Sequence, residues 1–187
     1  TALQPRESPM PKTWQICVSA VMKNRTDREV VLAAVSTHGS ALVAASKKLK
    51  NDREIVLAAV RTYRHALKYA SKKLKNDREV VLAAVPRGAV ALMYASEELK
   101  NDREFVHLAV ARCGAVLKYA SNEIKKDREV VLTAVSQDRT ALSFASDELR
   151  EDAFLKDLAS LSAKGNRNRR ARQAFLRKHS QRTAKLL

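Results

Sequence analysis

The side chains with most chemistry to offer are cations. Beyond Asp157 the sequence holds no acidic residue, while Lys164, Arg167, Arg169, Arg170, Arg172, Arg177, Lys178, Arg182 and Lys185 follow in quick succession. Blocks of like charge repel one another and often bind anionic polymers. From Arg169 to Leu187, Ala171, Ala174, Phe175 and Leu176 fall on one side of an amphipathic helix with arginines around the rest. Three partners suit such a segment: nucleic-acid phosphates, an anionic membrane surface, or an acidic groove in a protein complex. A solvated solubility tail is the bland alternative.

A second cationic cluster lies earlier. Lys47, Lys48 and Lys50 are followed 25 residues on by Lys72, Lys73 and Lys75, whereas the matching later positions hold Glu97 and Glu98, Glu123, then Asp147 and Glu148. Cations are favoured near a helix C-terminus by about 0.3–1 kcal/mol each. That accounts for Lys50, Lys75 and Lys100, but not for the change of sign at the other two positions. An anionic contact at Lys47, Lys48, Lys72 and Lys73 is the functional reading.

Other columns read structurally. Arg28, Arg53, Arg78, Arg103 and Arg128 each stand between Asp and Glu, so pairing with acids of the same or the next layer is favoured over a phosphate ladder. Tyr69, Tyr94, Tyr119 and Phe144, with Ala44 at their head, offer stacking surfaces for bases, but their place beside the apolar stripe favours groove packing. His38, His65, His107 and His179 show no ligand spacing with Cys or acidic residues, which argues against a metal site. Cys17 and Cys113 lie about four repeats apart, beyond disulfide reach, and read as small buried hydrophobes. The sequence has no Gly-rich phosphate loop, nucleophile elbow or paired-histidine motif. No enzymatic activity, cofactor or small-molecule substrate is expected.

These residues are positioned by a repeat of about twenty-five residues, opened by Asp27, Asp52, Asp77, Asp102 and Asp127, with Asp152 beginning a sixth. A period in this range signals a stack of supersecondary units. In the first half, Val31/Val35, Val56/Val60, Val81/Val85, Val106/Val110 and Val131/Val135 share one helical face. Beside them runs the column Ala34, Ala59, Ala84, Ala109 and Ala134, whose small size implies close approach of two helices. In the second half, Leu42, Leu67, Leu92, Leu117 and Leu142, the alanines three further on, and Leu49, Leu74, Leu99, Ile124 and Leu149 form a helical stripe. Thr26 or Asn51, Asn76 and Asn101, with a Glu three positions later, read as capping boxes; Lys126 breaks the pattern, making Asp127 the better cap there. The expectation is an all-α protein, an α-solenoid of αα-hairpin repeats with atypical terminal caps.

The unit Asp-Arg-Glu-Val-Val-Leu-Ala-Ala-Val, followed by Ala-Leu-Lys-Tyr-Ala-Ser-Lys-Lys-Leu-Lys, resembles an uncharacterised tandem-repeat family, the domain of unknown function forty-one sixteen. The resemblance covers Asp27 to Glu151. It implies helical repeats and an algal or other protist source, and it supplies no catalytic residue.

The expected layout is an N-terminal extension and partial capping helix (1–26), five repeats (27–151), a capping helix (152–163) and a basic tail (164–187). Trp14 to Lys23 reads as the second helix of a partial leading repeat, with Ile16, Cys17 and Ala20 in phase with Ala41, Leu42 and Ala45. At the other end Leu155 and Ala159 keep the phase of Val30 and Ala34, while Lys156 and Ser160 replace the paired valines. The net charge of +16 divides as +3 over 1–26, +5 over the repeats and +8 beyond them. No apolar run has the length of a membrane span. The start at Thr1 and the early Pro5, Pro9 and Pro11 suggest a processed chain or a fragment; processing would suit a chloroplast or mitochondrion.

The functional expectation is a non-catalytic structural or adaptor scaffold subunit of a large assembly, docking protein through its repeats and an anionic partner through its basic ends. Two settings compete: an RNA-binding ribosomal protein, cytosolic or organellar, and an accessory subunit of a photosynthetic or respiratory membrane complex. Partners are thus protein subunits, with RNA or an anionic membrane surface as further options; nothing in the sequence indicates a homo-oligomer.

Overall fold

Each repeat begins where an aspartate side chain satisfies the first free amides of a helix. Asp27 accepts from the N–H groups of Glu29 and Val30 at 3.0 and 3.1 Å, and Asp52, Asp77 and Asp127 cap in the same way. Asp102 accepts from Phe105 at 2.8 Å, and Asp152 from Leu155 at 3.0 Å. The cap is therefore the Asp throughout, not the preceding Thr26 or Asn. A carboxylate here also complements the helix dipole, which an amide does not.

The computed structural model describes residues 12–162. Seven longer helices can be numbered: α1 (Lys12–Lys23), α2 (Arg28–Thr37), α3 (Arg53–Thr62), α4 (Arg78–Ala84), α5 (Arg103–Arg112), α6 (Arg128–Gln137) and α7 (Ala153–Ser162). Among the described residues every regular element is helical.

The second half of the repeat departs from the hairpin expectation. It is two helical pieces and not one helix: a 3-10 segment such as Gly39–Ala44 or Gly114–Tyr119, then a turn such as Leu49–Asn51 or Asn122–Lys126. Between them Ala45, Ala70, Ala120 and Ala145 are extended, with ψ of 154, 158, 161 and 168°. The next residue is a serine whose hydroxyl accepts from the N–H three residues on, at 3.3 Å in Ser46, Ser71 and Ser121. The break has a structural reward. Freed from a helix, the serine N–H donates to the preceding repeat: Ser46 to Arg25 O at 2.9 Å, Ser71 to Lys50 O at 3.0 Å, Ser121 to Lys100 O at 3.1 Å and Ser146 to Lys125 O at 3.0 Å. The asparagines that do not cap take part as well, Asn51 Oδ1 accepting from the Ser71 hydroxyl at 2.6 Å and Asn101 Oδ1 from Ser121 at 2.9 Å.

The described residues fall into two compact units that meet between Arg87 and Gly88. In the first unit α1, α2, α3 and α4 pack in series. Its core is Val21, the paired valines of α2 to α4, Leu42, Ile55, Leu67 and Val80, all fully buried. In the second, α5, α6 and α7 pack in series over Leu92, Phe105, Leu117, Val130 and the corresponding valine pairs. Each unit thus has the neighbour-to-neighbour packing of an α-solenoid, and full burial of one such side chain contributes about 1.5–3 kcal/mol. The boundary falls where Pro86, which lacks an N–H, ends the helical run in the 3-10 turn Val85–Arg87, and Gly88 follows at φ 137°.

The alanine column does mark a close approach. Gly39 lies so near α3 that a Cβ there would overlap the carbonyl oxygen of Ala59, and Gly114 stands in the same relation to Ala134 of α6. The ends differ in phase from the expectation. In α1 the buried residues are Val18 and Val21, while Ile16 is 67% exposed. In α7 Leu158 is buried with Leu155, whereas Ala159 is only half-buried. With no paired valines to bury, α7 turns Leu155 and Leu158 inward.

Candidate anion-binding surface

Lys47, Lys48, Lys72 and Lys73 are exposed, and among the described residues no carboxylate pairs with them. They stand at corresponding positions of consecutive repeats, joined by the bond from Ser71 N–H to Lys50 O. Lys72 and Lys73 stand with Lys75 in the single turn Lys72–Lys75, a run of like charge. The third lysine of each set is half-buried. Lys50 donates from Nζ to Val43 O at 2.8 Å, and burial, then the charge of Arg25, lowers its pKa. Burial lowers that of Lys75 as well.

The later repeats are built differently at the same place. Glu97 pairs with Lys100 at 2.7 Å, Glu123 with Lys126 at 3.0 Å, and Asp147 with Arg150. These three pairs are local acid–base pairings along one turn; at the positions of Glu97–Lys100 and Asp147–Arg150 the first two repeats place Lys47 against Lys50 and Lys72 against Lys75. The bias holds over whole repeats: residues 27–76 carry eleven basic and four acidic side chains, and residues 77–151 eleven and thirteen. The tail cations Lys164, Arg167, Arg169, Arg170, Arg172, Arg177, Lys178, Arg182 and Lys185 lie outside the described residues.

The arginine column serves the fold. Arg28 Nε donates to Asp52 at 2.9 Å, Arg53 to Asp77 at 3.0 Å, Arg103 to Asp127 at 2.6 Å and Arg128 to Asp152 at 3.3 Å. The second arm of the first three reaches Glu54, Glu79 and Glu129. Where that Glu is replaced by Phe154, the Arg128 guanidinium lies 5.4 Å from its ring centre, a cation–π contact. For Asp52, Asp77 and Asp127, partial burial pushes the pKa up. Hydrogen bonds from the arginine and the cap amides outweigh it and hold each carboxyl below its ordinary value.

Tyr69, Tyr94, Tyr119 and Phe144 are half-buried. Lys68 Nζ sits 5.9 Å from the Tyr69 ring centre, and Lys118 Nζ 5.5 and 5.9 Å from those of Tyr119 and Phe144. The rings are thus partly packed, and those of Tyr69, Tyr119 and Phe144 have a lysine ammonium within cation–π range. His107 Nε2 meets Thr133 Oγ1 at 2.9 Å.

One expectation fails at the cysteines. Cys17 and Cys113 are free but half-buried and not core hydrophobes. His38 is not isolated from cysteine: its Nδ1 lies 3.6 Å from Cys17 Sγ. Twenty-one positions separate them, so no spacing rule within one helix could have found the pair. Among the described residues no three His, Cys, Asp or Glu side chains gather as a metal site, and no helix is long and apolar enough to cross a membrane.

Capped helices, serine breaks and inter-repeat ladders define an all-α tandem-repeat protein. The chain belongs to the family described as Domain of unknown function (DUF4116), whose model matches residues 27–75, 64–85, 77–110 and 102–150. Neither the curated proteins nor the solved structures contain a match to the chain.

Proposed function

We propose that the chain is a non-catalytic structural or adaptor scaffold subunit of a large macromolecular assembly. Its repeat surface meets protein, and its cations hold an anionic partner. The observation that carries this reading is the row Lys47, Lys48, Lys72 and Lys73, left without carboxylates where the later repeats carry acids, of which Glu97, Glu123 and Asp147 pair with a neighbouring cation. Clustered like charges raise the free energy of the isolated protein and are relieved by an anion. The basic run from Lys164 to Lys185 adds to the same field.

The test is binding of a labelled single-stranded RNA, an acidic peptide and phosphatidylserine vesicles across a salt series. The wild-type chain binds at least one of them, with affinity falling steeply as salt rises. Changing all four lysines to Glu weakens that binding and flattens its salt dependence, whereas changing them to Arg preserves it. Undiminished binding by the Glu variant refutes the lysine row as the contact, and absence of binding to all three probes at low salt refutes the anionic-partner reading.

A further inference from the structure

We propose that Cys17, His38 and Thr13 form a reactive-thiol site that exchanges with low-molecular-weight disulfides. The three side chains are in line. Cys17 Sγ is 3.6 Å from His38 Nδ1, and His38 Nε2 is 3.3 Å from Thr13 Oγ1. Thr13 and Cys17 are four residues apart on α1 and so share a face. His38 follows the last turn of α2 with extended backbone (φ −137°, ψ 92°), its own N–H donating to Ala34 O at 2.8 Å. A third contact fixes the joint, Trp14 Nε1 donating to Ser40 Oγ at 2.8 Å.

The arrangement has the parts of an activated nucleophile: a thiol, a base within reach, and a group that orients the base. In the tautomer that carries its proton on Nε2, His38 donates to the Thr13 hydroxyl and has Nδ1 free to take the thiol proton; after transfer both ring nitrogens still have partners. Cys17 and His38 are each half-buried, which admits a small reagent. Cys113 supplies the contrast, being also half-buried but without a side-chain partner for its thiol among the described residues. Two donors are too few for a structural zinc site, so exchange chemistry suits the pair better than metal binding.

The step balances without further reagents. The Cys17 proton passes to His38 Nδ1. The thiolate attacks one sulfur of the small disulfide, forming a mixed disulfide as the original S–S bond breaks, and the departing thiolate takes the proton back from His38. Cys17 is oxidised and the released thiol is the reduced product.

The experiment exposes the native chain to trace glutathione disulfide and maps the adducts by mass spectrometry. With a base in reach to take its proton as it attacks, Cys17 should be modified roughly threefold to tenfold faster than Cys113 in the folded protein. The two rates should converge in guanidinium. His38→Gln should remove the excess, and Thr13→Val should reduce it, with helical circular dichroism and the emission of Trp14, the single tryptophan, unchanged. Equal native rates overturn the proposal, as does an excess that survives both substitutions. Should His38→Gln disturb the Trp14 emission, the wild-type ratio together with Thr13→Val decides.

Discussion

Arg28 Nε donates at 2.9 Å to Oδ2 of Asp52, whose other oxygen, Oδ1, caps α3 by accepting from Glu54 and Ile55. One carboxylate thus starts its own helix and ties it to the repeat before. The two duties separate by mutation. Arg53→Gln removes the ties to Asp77 and Glu79 but leaves the cap, and should lower stability only slightly, as exposed ion pairs do. Asp77→Ala loses tie and cap together and should cost about 1–3 kcal/mol. Urea midpoints measure both, and a cost for Arg53→Gln equal to that for Asp77→Ala contradicts the division.

Acid should loosen the array through the same carboxylates. Asp52, Asp77 and Asp127 are held below their ordinary values in the folded chain. The unfolded chain therefore binds protons more readily, and the stabilisation is present above the ordinary carboxylate value of about 3.9 and lost as pH falls through the lower folded value. Thermal midpoints should hold steady from neutrality to about pH 5 and fall below about pH 4. Replacing all three by Asn should flatten that fall.

Gly39→Ala should destabilise the first unit by about 1–3 kcal/mol, the cost of overpacking. The added methyl meets the backbone of α3 at Ala59 and the Thr62 hydroxyl, and a helix carbonyl has little freedom to retreat. Gly114→Ala should behave alike in the second unit. A calorimetric midpoint equal to that of exposed Ser36→Ala would show that the close approach relaxes without cost.

Leu92 is fully buried, so Leu92→Ala should cost about 2–5 kcal/mol. Lys47→Ala, exposed and without an ion pair among the described residues, is the control. Chemical denaturation compares them, and equal midpoints would put the Leu column on the wrong face.

The core was legible because burial repeats with the sequence: the valine pairs, the alanines and most of the leucine column lie where their period places them. Leu142 and Leu149, in the last repeat before α7, are only half-buried, since an end position lacks a full following repeat. The break before Ser46 and its counterparts was not legible. The residues on either side keep helical spacing, and the reason for the break is a hydrogen bond to another repeat, which no local pattern records. The Asp cap was misplaced by one residue because Asn and Asp are both good caps; the rival role of Asn51, accepting from Ser71, is again a contact between repeats. At the candidate surface the lysines were visible in sequence, but the local neutralisation of Glu97, Glu123 and Asp147 needed coordinates.

The basic run and the lysine row should act separably if both touch the anionic partner. Deleting residues 164–187 removes nine cations and no acid and leaves every described residue in the chain. If the run contacts RNA phosphates, deletion should lower RNA affinity and flatten its salt dependence, since each neutralised phosphate releases counterions. Adding the four Lys→Glu changes should then remove the remaining binding. If the run anchors the chain to acidic protein, RNA binding should be weak before and after deletion, and affinity purification of the truncated chain should lose the parent assembly. Circular dichroism is the check on folding, because the helices over 12–162 should survive either change. Full retention in the assembly with unchanged RNA affinity would exclude the basic run from both contacts and leave it a solvated tail.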